Sequence, residues 1–222
     1  MKKPIGNHIV IEGADGAGKG LLTDNLREEF EASGFNVVCV REPGGTEFGE
    51  EMRHVLLTKR KSPTSVNALM LGFFASRYEL YEKVTRPALE AGSIVLQDRW
   101  NASSYGYQVI LGGANPDLFN SLVNHGNFLP AKMIYLDVDF EVSLDRRQRR
   151  GEPQDAMESL IGVKDRFNGL RRATQAYVSK NGSPGSLLIN TSTLNPLQVL
   201  KRASKVLDSK HPMFDDQMEM RN

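Results

Sequence analysis

Gly13, Gly18 and Lys19 stand in the order G-x-x-x-x-G-K within "GADGAGKG", and this spacing suits the binding of phosphate. Glycines and small residues (Gly13, Ala14, Gly16, Ala17, Gly18) let successive backbone N–H groups turn inward around an anion. A helix beginning there adds positive potential, and Lys19 supplies a cation for the outer phosphates. One residue departs from the pattern. Gly20 occupies the position where a hydroxyl usually meets a nucleotide's metal ion. Thr23 comes three residues later and points elsewhere on a helix. Carboxylates are available instead: Asp15 inside the loop, Glu12 before it, and Asp98 at the end of the apolar run "SIVLQD". Magnesium needs only one or two of these, with water and phosphate oxygens completing its shell.

Those residues need elements to hold them. Five β-rich runs, at 8–12, 36–41, 93–98, 131–138 and 186–190, are nearly continuous in apolar residues, as suits strands buried on both faces of a parallel sheet. Helical stretches alternate with them. Leu22, Leu26 and Phe30 mark one helix, which Gly34 stops. Ser62-Pro63 opens a long one that Arg86-Pro87 ends. Asn115-Pro116 and Asn195-Pro196 open two more. The pattern predicts an α/β, three-layer fold with a five-stranded parallel sheet flanked by helices, the type of P-loop nucleotide-binding proteins. One domain over residues 1–210 is expected, with a frayed tail at 211–222.

Composition narrows the function. A net charge of +1 over 222 residues gives no electrostatic case for nucleic acid as a partner. No apolar run approaches a membrane span, and "MKKPIGNH" lacks the hydrophobic stretch of a secretory signal, so a cytoplasmic protein is expected. Cys39, the single cysteine, lies in "NVVCVRE" and reads as a buried, inert thiol. The guanine-reading pattern N-K-x-D is absent, which disfavours a GTPase-type switch.

Two further segments follow strands two and three, where a parallel sheet opens its ligand crevice: "REPGGT" at 41–46 and "DRWNASSYGYQ" at 98–108. With the phosphate loop and "FFASRYELYEKVTRPALEAG", they make the chain resemble the thymidylate kinase family from about residue 8 to 207. The resemblance implies ATP and Mg2+, dTMP as acceptor, a homodimer, and a flexible lid at about 146–158. It implies that Arg99 grips the acceptor phosphate, Phe73 stacks on the base, and Arg77 and Gln108 read its edges. Tyr107 would exclude a ribose hydroxyl, and Ser104 would add a polar contact. Arg41 and Pro43 would shape the acceptor site, with a cis bond before the proline. Lys19, Asp15, Arg99, Arg147 and Arg150 would be catalytic, and Asp15 and Asp98 would hold the metal. The lid ending departs from the family: Ala156 stands in "DAME" where an arginine is expected, so Arg147, Arg149 or Arg150 of the basic run "DRRQRRGE" (145–152) would substitute. A kinase for another pyrimidine deoxynucleotide and a non-catalytic nucleotide-binding protein are the alternative readings.

Overall fold

Strand β1 (His8–Gly13) sits at the centre of a five-stranded, all-parallel sheet. In the computed structural model the strand order is β2 (Val37–Arg41), β3 (Ile94–Asp98), β1, β4 (Lys132–Asp137), β5 (Leu187–Asn190). The structure describes residues 7–126, 128, 131–151 and 164–207; the tail at 211–222, and most of the expected lid with Ala156, lie outside them. Connections run through helices, as a parallel sheet requires. These are α1 (Lys19–Ala32), α2 (Glu47–Leu57), α3 (Val66–Leu80), α4 (Arg86–Glu90), α5 (Asn101–Ser104), α6 (Pro116–His125), α7 (Phe140–Arg150), α8 (Lys164–Asn181) and α9 (Pro196–Ala203).

The pleat divides the core into two layers. Ile9, Ile11, Ile94, Leu96, Ile134 and Leu136 belong to a cluster that includes Leu22, Leu26 and Phe30 of α1. On the other face Val10, Met133 and Tyr135 pack with Trp100 and with Val178 of α8. Three central strands are therefore buried on both faces, whereas the edge strands β2 and β5 are only partly covered. That corrects the expectation for Cys39. Cys39 lies on the edge strand β2 and is exposed; among the described residues no strand pairs beyond β2. Partial desolvation still pushes its thiol pKa up, so the expected inertness does not depend on full burial.

Helix starts follow their caps. Asn115 accepts from the N–H groups of Asp117 and Leu118, Asn195 and Gln198 form a reciprocal capping box, and Thr46 accepts from Gly49. The chain does not stop its helix at Arg86-Pro87, as the proline predicts. It widens into a π-helical turn, Tyr81–Thr85, and Pro87 then enters the first turn of α4. The wide turn gives the ring room, so helix continues past it. A second π-helical segment, Tyr105–Leu111, follows α5.

Gly13 ends β1 at φ 146°, where an added Cβ would lie 2.5 Å from the carbonyl oxygen of Leu136. Both the dihedral and the contact exclude a side chain. Gly13→Ala should cost about 2 kcal/mol or more, measured by urea unfolding without nucleotide; a loss under about 0.5 kcal/mol would mean the loop relaxes freely.

Candidate active site

At the carboxyl ends of β1, β2 and β3 lies a cavity of about 560 Å3 lined by, among others, Asp15, Lys19, Arg77, Asp98, Arg99 and Tyr107. The phosphate loop forms one wall. Gly16 and Gly18 take φ 79° and 97°, and α1 begins at Lys19 directly behind them. Lys19 is buried; its Nζ donates to the carbonyls of Gly13 and Ala14 at 3.1 and 3.3 Å and lies 3.7 Å from Asp15 Oδ1. Burial, followed by the nearby charge of Arg99, lowers its pKa. Gly20 also lines the cavity, and a Cβ there would meet nothing within 4 Å. Thr23 does turn away: its hydroxyl donates back to the Lys19 carbonyl at 3.0 Å.

Arg99 stands on the turn after β3 in a left-handed conformation, φ 71°. Glu12 holds that turn. Wholly buried, it accepts from Trp100 N–H and Ser103 N–H at 2.8 and 3.0 Å, and from the Ser103 hydroxyl at 2.7 Å. Burial pushes the Glu12 pKa up, and these donors oppose the shift. Ser103 Oγ in turn accepts from Arg99 Nη1 at 3.0 Å. The other end of the guanidinium pairs with Asp15 Oδ1, while Tyr107 donates to Asp15 Oδ2 at 3.2 Å. Burial tends to raise the Asp15 pKa, but Arg99 and Lys19 outweigh it and hold the carboxyl at about 2. Asp15 is an anion throughout the physiological range.

Beyond Arg99 the cavity becomes a slot, with Phe73, Arg77, Ser104 and Gln108 among its walls. Phe73 and Arg77 share one face of α3, as their spacing predicts. Arg77 is almost fully buried. Its Nε donates to Glu42 Oε2 at 2.6 Å and its Nη2 to Ser104 Oγ at 2.9 Å, and its Cζ lies 4.5 Å from the Phe74 ring centroid. Nη1 has no partner among the described residues. Arg41 is exposed and pairs with Glu50 at 3.2 Å. The Glu42–Pro43 bond is cis, as the resemblance implies. Arg53, which sequence reasoning missed, also lines the slot and donates to the Pro43 carbonyl at 2.8 Å. Glu42 was missed too; a glutamate before proline carries no sign of burial.

The arginines of α7 correct one expectation. Ser143, Arg146 and Arg150 lie at i, i+3 and i+7, and it is this face that meets the phosphate loop. The Ser143 hydroxyl donates to the Asp15 carbonyl at 2.7 Å, and Arg146 donates to the Gly16 carbonyl at 3.1 Å. Arg146 and Arg150 line the cavity. Arg147, turned about 100° from its neighbour by the helix, is buried off the cavity lining, and its nitrogens have no partner among the described residues. Arg149 is exposed and pairs with Asp145 at 3.0 Å. Asp98 keeps Oδ1 buried without a hydrogen-bond partner among the described residues.

Glu42 gives a pH prediction. Burial outweighs its bonds to Arg77 and Gln97 and lifts its pKa from 4.5 to about 7. Between those values the folded chain holds a proton that the unfolded chain has released. Low pH therefore favours folding, and this group's contribution falls by about 3 kcal/mol as pH rises through 7. Glu42→Gln cannot titrate. Relative to wild type, its stability in urea should improve by about 2–3 kcal/mol between pH 5 and pH 8, whatever the offset at pH 5. A difference independent of pH would show that Glu42 keeps an ordinary pKa.

The thymidylate kinase family model matches residues 11–187, which span the whole of this cavity. A thymidylate kinase of Protochlamydia amoebophila is 36% identical over 178 residues, covering 78% of this chain and 79% of the relative. One from Idiomarina loihiensis is 31% identical over 207 residues, covering 89% and 96%. A crystal structure of thymidylate kinase from Ehrlichia chaffeensis superposes with a TM-score of 0.66 at 26% identity, covering 90% of this chain and 97% of that one. With the loop, the Arg99 turn and the α3 slot all inside the matched span, the chain belongs to the thymidylate kinase family.

Proposed function

We propose that this chain transfers the γ-phosphoryl group of ATP to dTMP, giving dTDP and ADP. The observation that carries the reading is that one cavity runs from the phosphate loop past Arg99 to a slot walled by Phe73 and Arg77. A second cavity of about 300 Å3, lined by Leu22, Leu194, Pro196 and others, shares Gly18, Leu21 and Arg146 with the first. Its apolar walls suit the donor's base. The slot suits the acceptor's base: Phe73 offers an aromatic face, Arg77 Nη1 an unused donor, and Gln108 an amide. Tyr107, hydrogen-bonded to Asp15, is held beside the sugar. Arg99 then meets the acceptor phosphate with a bidentate guanidinium, anchored by Asp15.

The chain's residues act by position and charge, which dominate phosphoryl transfer. Lys19, Arg146 and Arg150 converge on the donor phosphates, and Lys19 exchanges its loop carbonyls for phosphate oxygens. Arg146 takes the place the sequence gave to Arg147. Magnesium, when bound, would supply charge neutralisation to the donor phosphates. Asp98 fits it best, since its buried Oδ1 has no hydrogen-bond partner among the described residues. Asp15 is committed to Arg99 and Tyr107, so it acts first as the anchor of the acceptor arginine. No described helix is long and apolar enough to cross a membrane. The packed pair α2 and α3 exposes Phe48, Val55 and Leu71; this apolar face is our proposed homodimer contact.

A phosphoryl-transfer panel over nucleoside monophosphates with ATP should give dTMP the highest kcat/KM; turnover of no monophosphate would overturn the reading. Arg99→Ala should raise KM for dTMP by about tenfold or more and that for ATP by less than about threefold. Equal losses would give Arg99 a purely structural role. Gly20→Thr has room for its side chain and should shift the magnesium needed for half-maximal turnover by less than about tenfold, whereas Asp98→Asn should raise it by more. A large gain from Gly20→Thr with Asp98→Asn silent would mark the loop as degraded.

A further inference from the structure

The sheet face beneath the acceptor slot is not wholly apolar. Strand alternation sends His8, Val10 and Glu12 of β1 to the same face as Val95 and Gln97 of β3. Val40 of β2, paired with Gln97, points there too and packs with Leu80, Leu89 and Val95. Three polar side chains thus share a face that otherwise buries hydrocarbon. Each must be satisfied by a partner. Glu12 is satisfied by the Arg99 turn, whereas His8 and Gln97 have no part in the mechanism derived above.

Their bonds form one chain. Gln97 Nε2 donates to Glu42 Oε1 at 2.7 Å and to the Arg99 carbonyl at 3.1 Å. The Arg99 carbonyl can only accept, so the amide's NH2 must face it and its Oε1 must point away. Oε1 lies 2.9 Å from His8 Nε2. His8 therefore carries its proton on Nε2 and donates, which fixes the amide in that orientation. Glu42, held by Gln97, accepts from Arg77 Nε through its second oxygen, and Arg77 reaches Ser104. His8, Gln97, Glu42, Arg77 and Ser104 are all buried.

We propose that Gln97 is a positioning residue that sets both acceptor-side arginines at once, with His8 as its lock. Through Glu42 it aims the Arg77 guanidinium at the base. Through the Arg99 carbonyl it braces a turn held at φ 71°, a conformation that a non-glycine residue keeps only when its surroundings impose it. The base end and the phosphate end of the acceptor are thereby registered by one amide. Arg77 cannot shift without disturbing Glu42, which Gln97 holds, and the backbone of Arg99 cannot shift without breaking its own bond to the amide. The inference rests on the proposed reading that Arg77 meets the base and Arg99 the phosphate.

The test compares the full-length chain with Gln97→Leu, Glu42→Gln, His8→Phe, His8→Gln and Arg77→Ala. Steady-state turnover gives KM for dTMP and for ATP, and thymidine, which has the base but no phosphate, is titrated as a competitive inhibitor. Gln97→Leu should raise the thymidine Ki by about tenfold and KM for dTMP by more, with KM for ATP within about twofold. Glu42→Gln should raise both acceptor constants by the same factor, because only the base end is loosened. His8→Phe should reproduce part of the Gln97→Leu loss, and His8→Gln, which keeps a donor, should restore it to within about twofold. The proposal is overturned if Gln97→Leu and His8→Phe leave the acceptor constants unchanged, or if they raise the ATP and dTMP constants equally. Should Gln97→Leu fail to fold, the His8 pair decides the matter alone. Arg77→Ala keeps the two readings apart: an unchanged thymidine Ki there sinks the base slot itself, independently of what Gln97 does.

Discussion

The ion pair between Asp15 and Arg99 joins the two halves of the site. Asp15 belongs to the phosphate loop after β1, and Arg99 to the turn after β3. Both lie at the carboxyl ends of adjacent parallel strands, where loops leave the sheet and ligands enter. Removing either partner would leave a largely buried charge without its counterion, a far larger loss than the pair's net worth. The pair is therefore weak evidence for stability and strong evidence for fixed geometry. Its consequence is that the phosphate loop and Arg99 cannot be placed independently. Tyr107 and Ser103 then set the remaining freedom of the pair, one bonding Asp15 and the other Arg99.

Much of this was legible because the relevant residues are local in sequence. Strand–helix alternation gave five strands within one or two residues of their observed bounds, since period and turn residues act over short windows. The phosphate loop, the Arg99 turn and the α3 face are each contiguous, and each carries its residue types at fixed spacing. The edge position of Cys39 was not legible. An apolar run looks alike in a central and an edge strand, and only the strand order, a long-range property, tells them apart.

The α7 arginines failed for a different reason. Four arginines fall within five residues, so composition alone cannot say which face meets the loop. Helical phase decides it, and phase is anchored by Ser143, whose hydroxyl bonds the Asp15 carbonyl. A serine one turn before the basic run was the available signal. Gly16 reinforces it, because a Cβ there would meet Ser143 backbone at 2.7 Å. The close approach of α7 to the loop thus selects Arg146 for the cavity and turns Arg147 aside.

Buried polarity is what sequence reading recovers least well. His8, Glu12 and Gln97 interrupt strands that otherwise read as apolar, and taken singly each looks like a tolerated exception. Register makes them one system: they share a face, and Leu80 of α3 packs on that same face against Val40 and Val95. A hydrocarbon layer there would bury just as well, without the desolvation that lifts Glu42 so far above its ordinary range. Stability alone gives no reason to keep such a network, since replacing buried ion pairs by packed hydrocarbon is often neutral or favourable. A guanidinium, however, has freedom that packing cannot remove, because it must be held by acceptors at chosen nitrogens to point a remaining N–H in one direction. Glu42 takes Nε, Ser104 takes Nη2, and what is left of Arg77 is Nη1. On the proposed reading of Arg77, the buried network serves to leave one particular donor unspent.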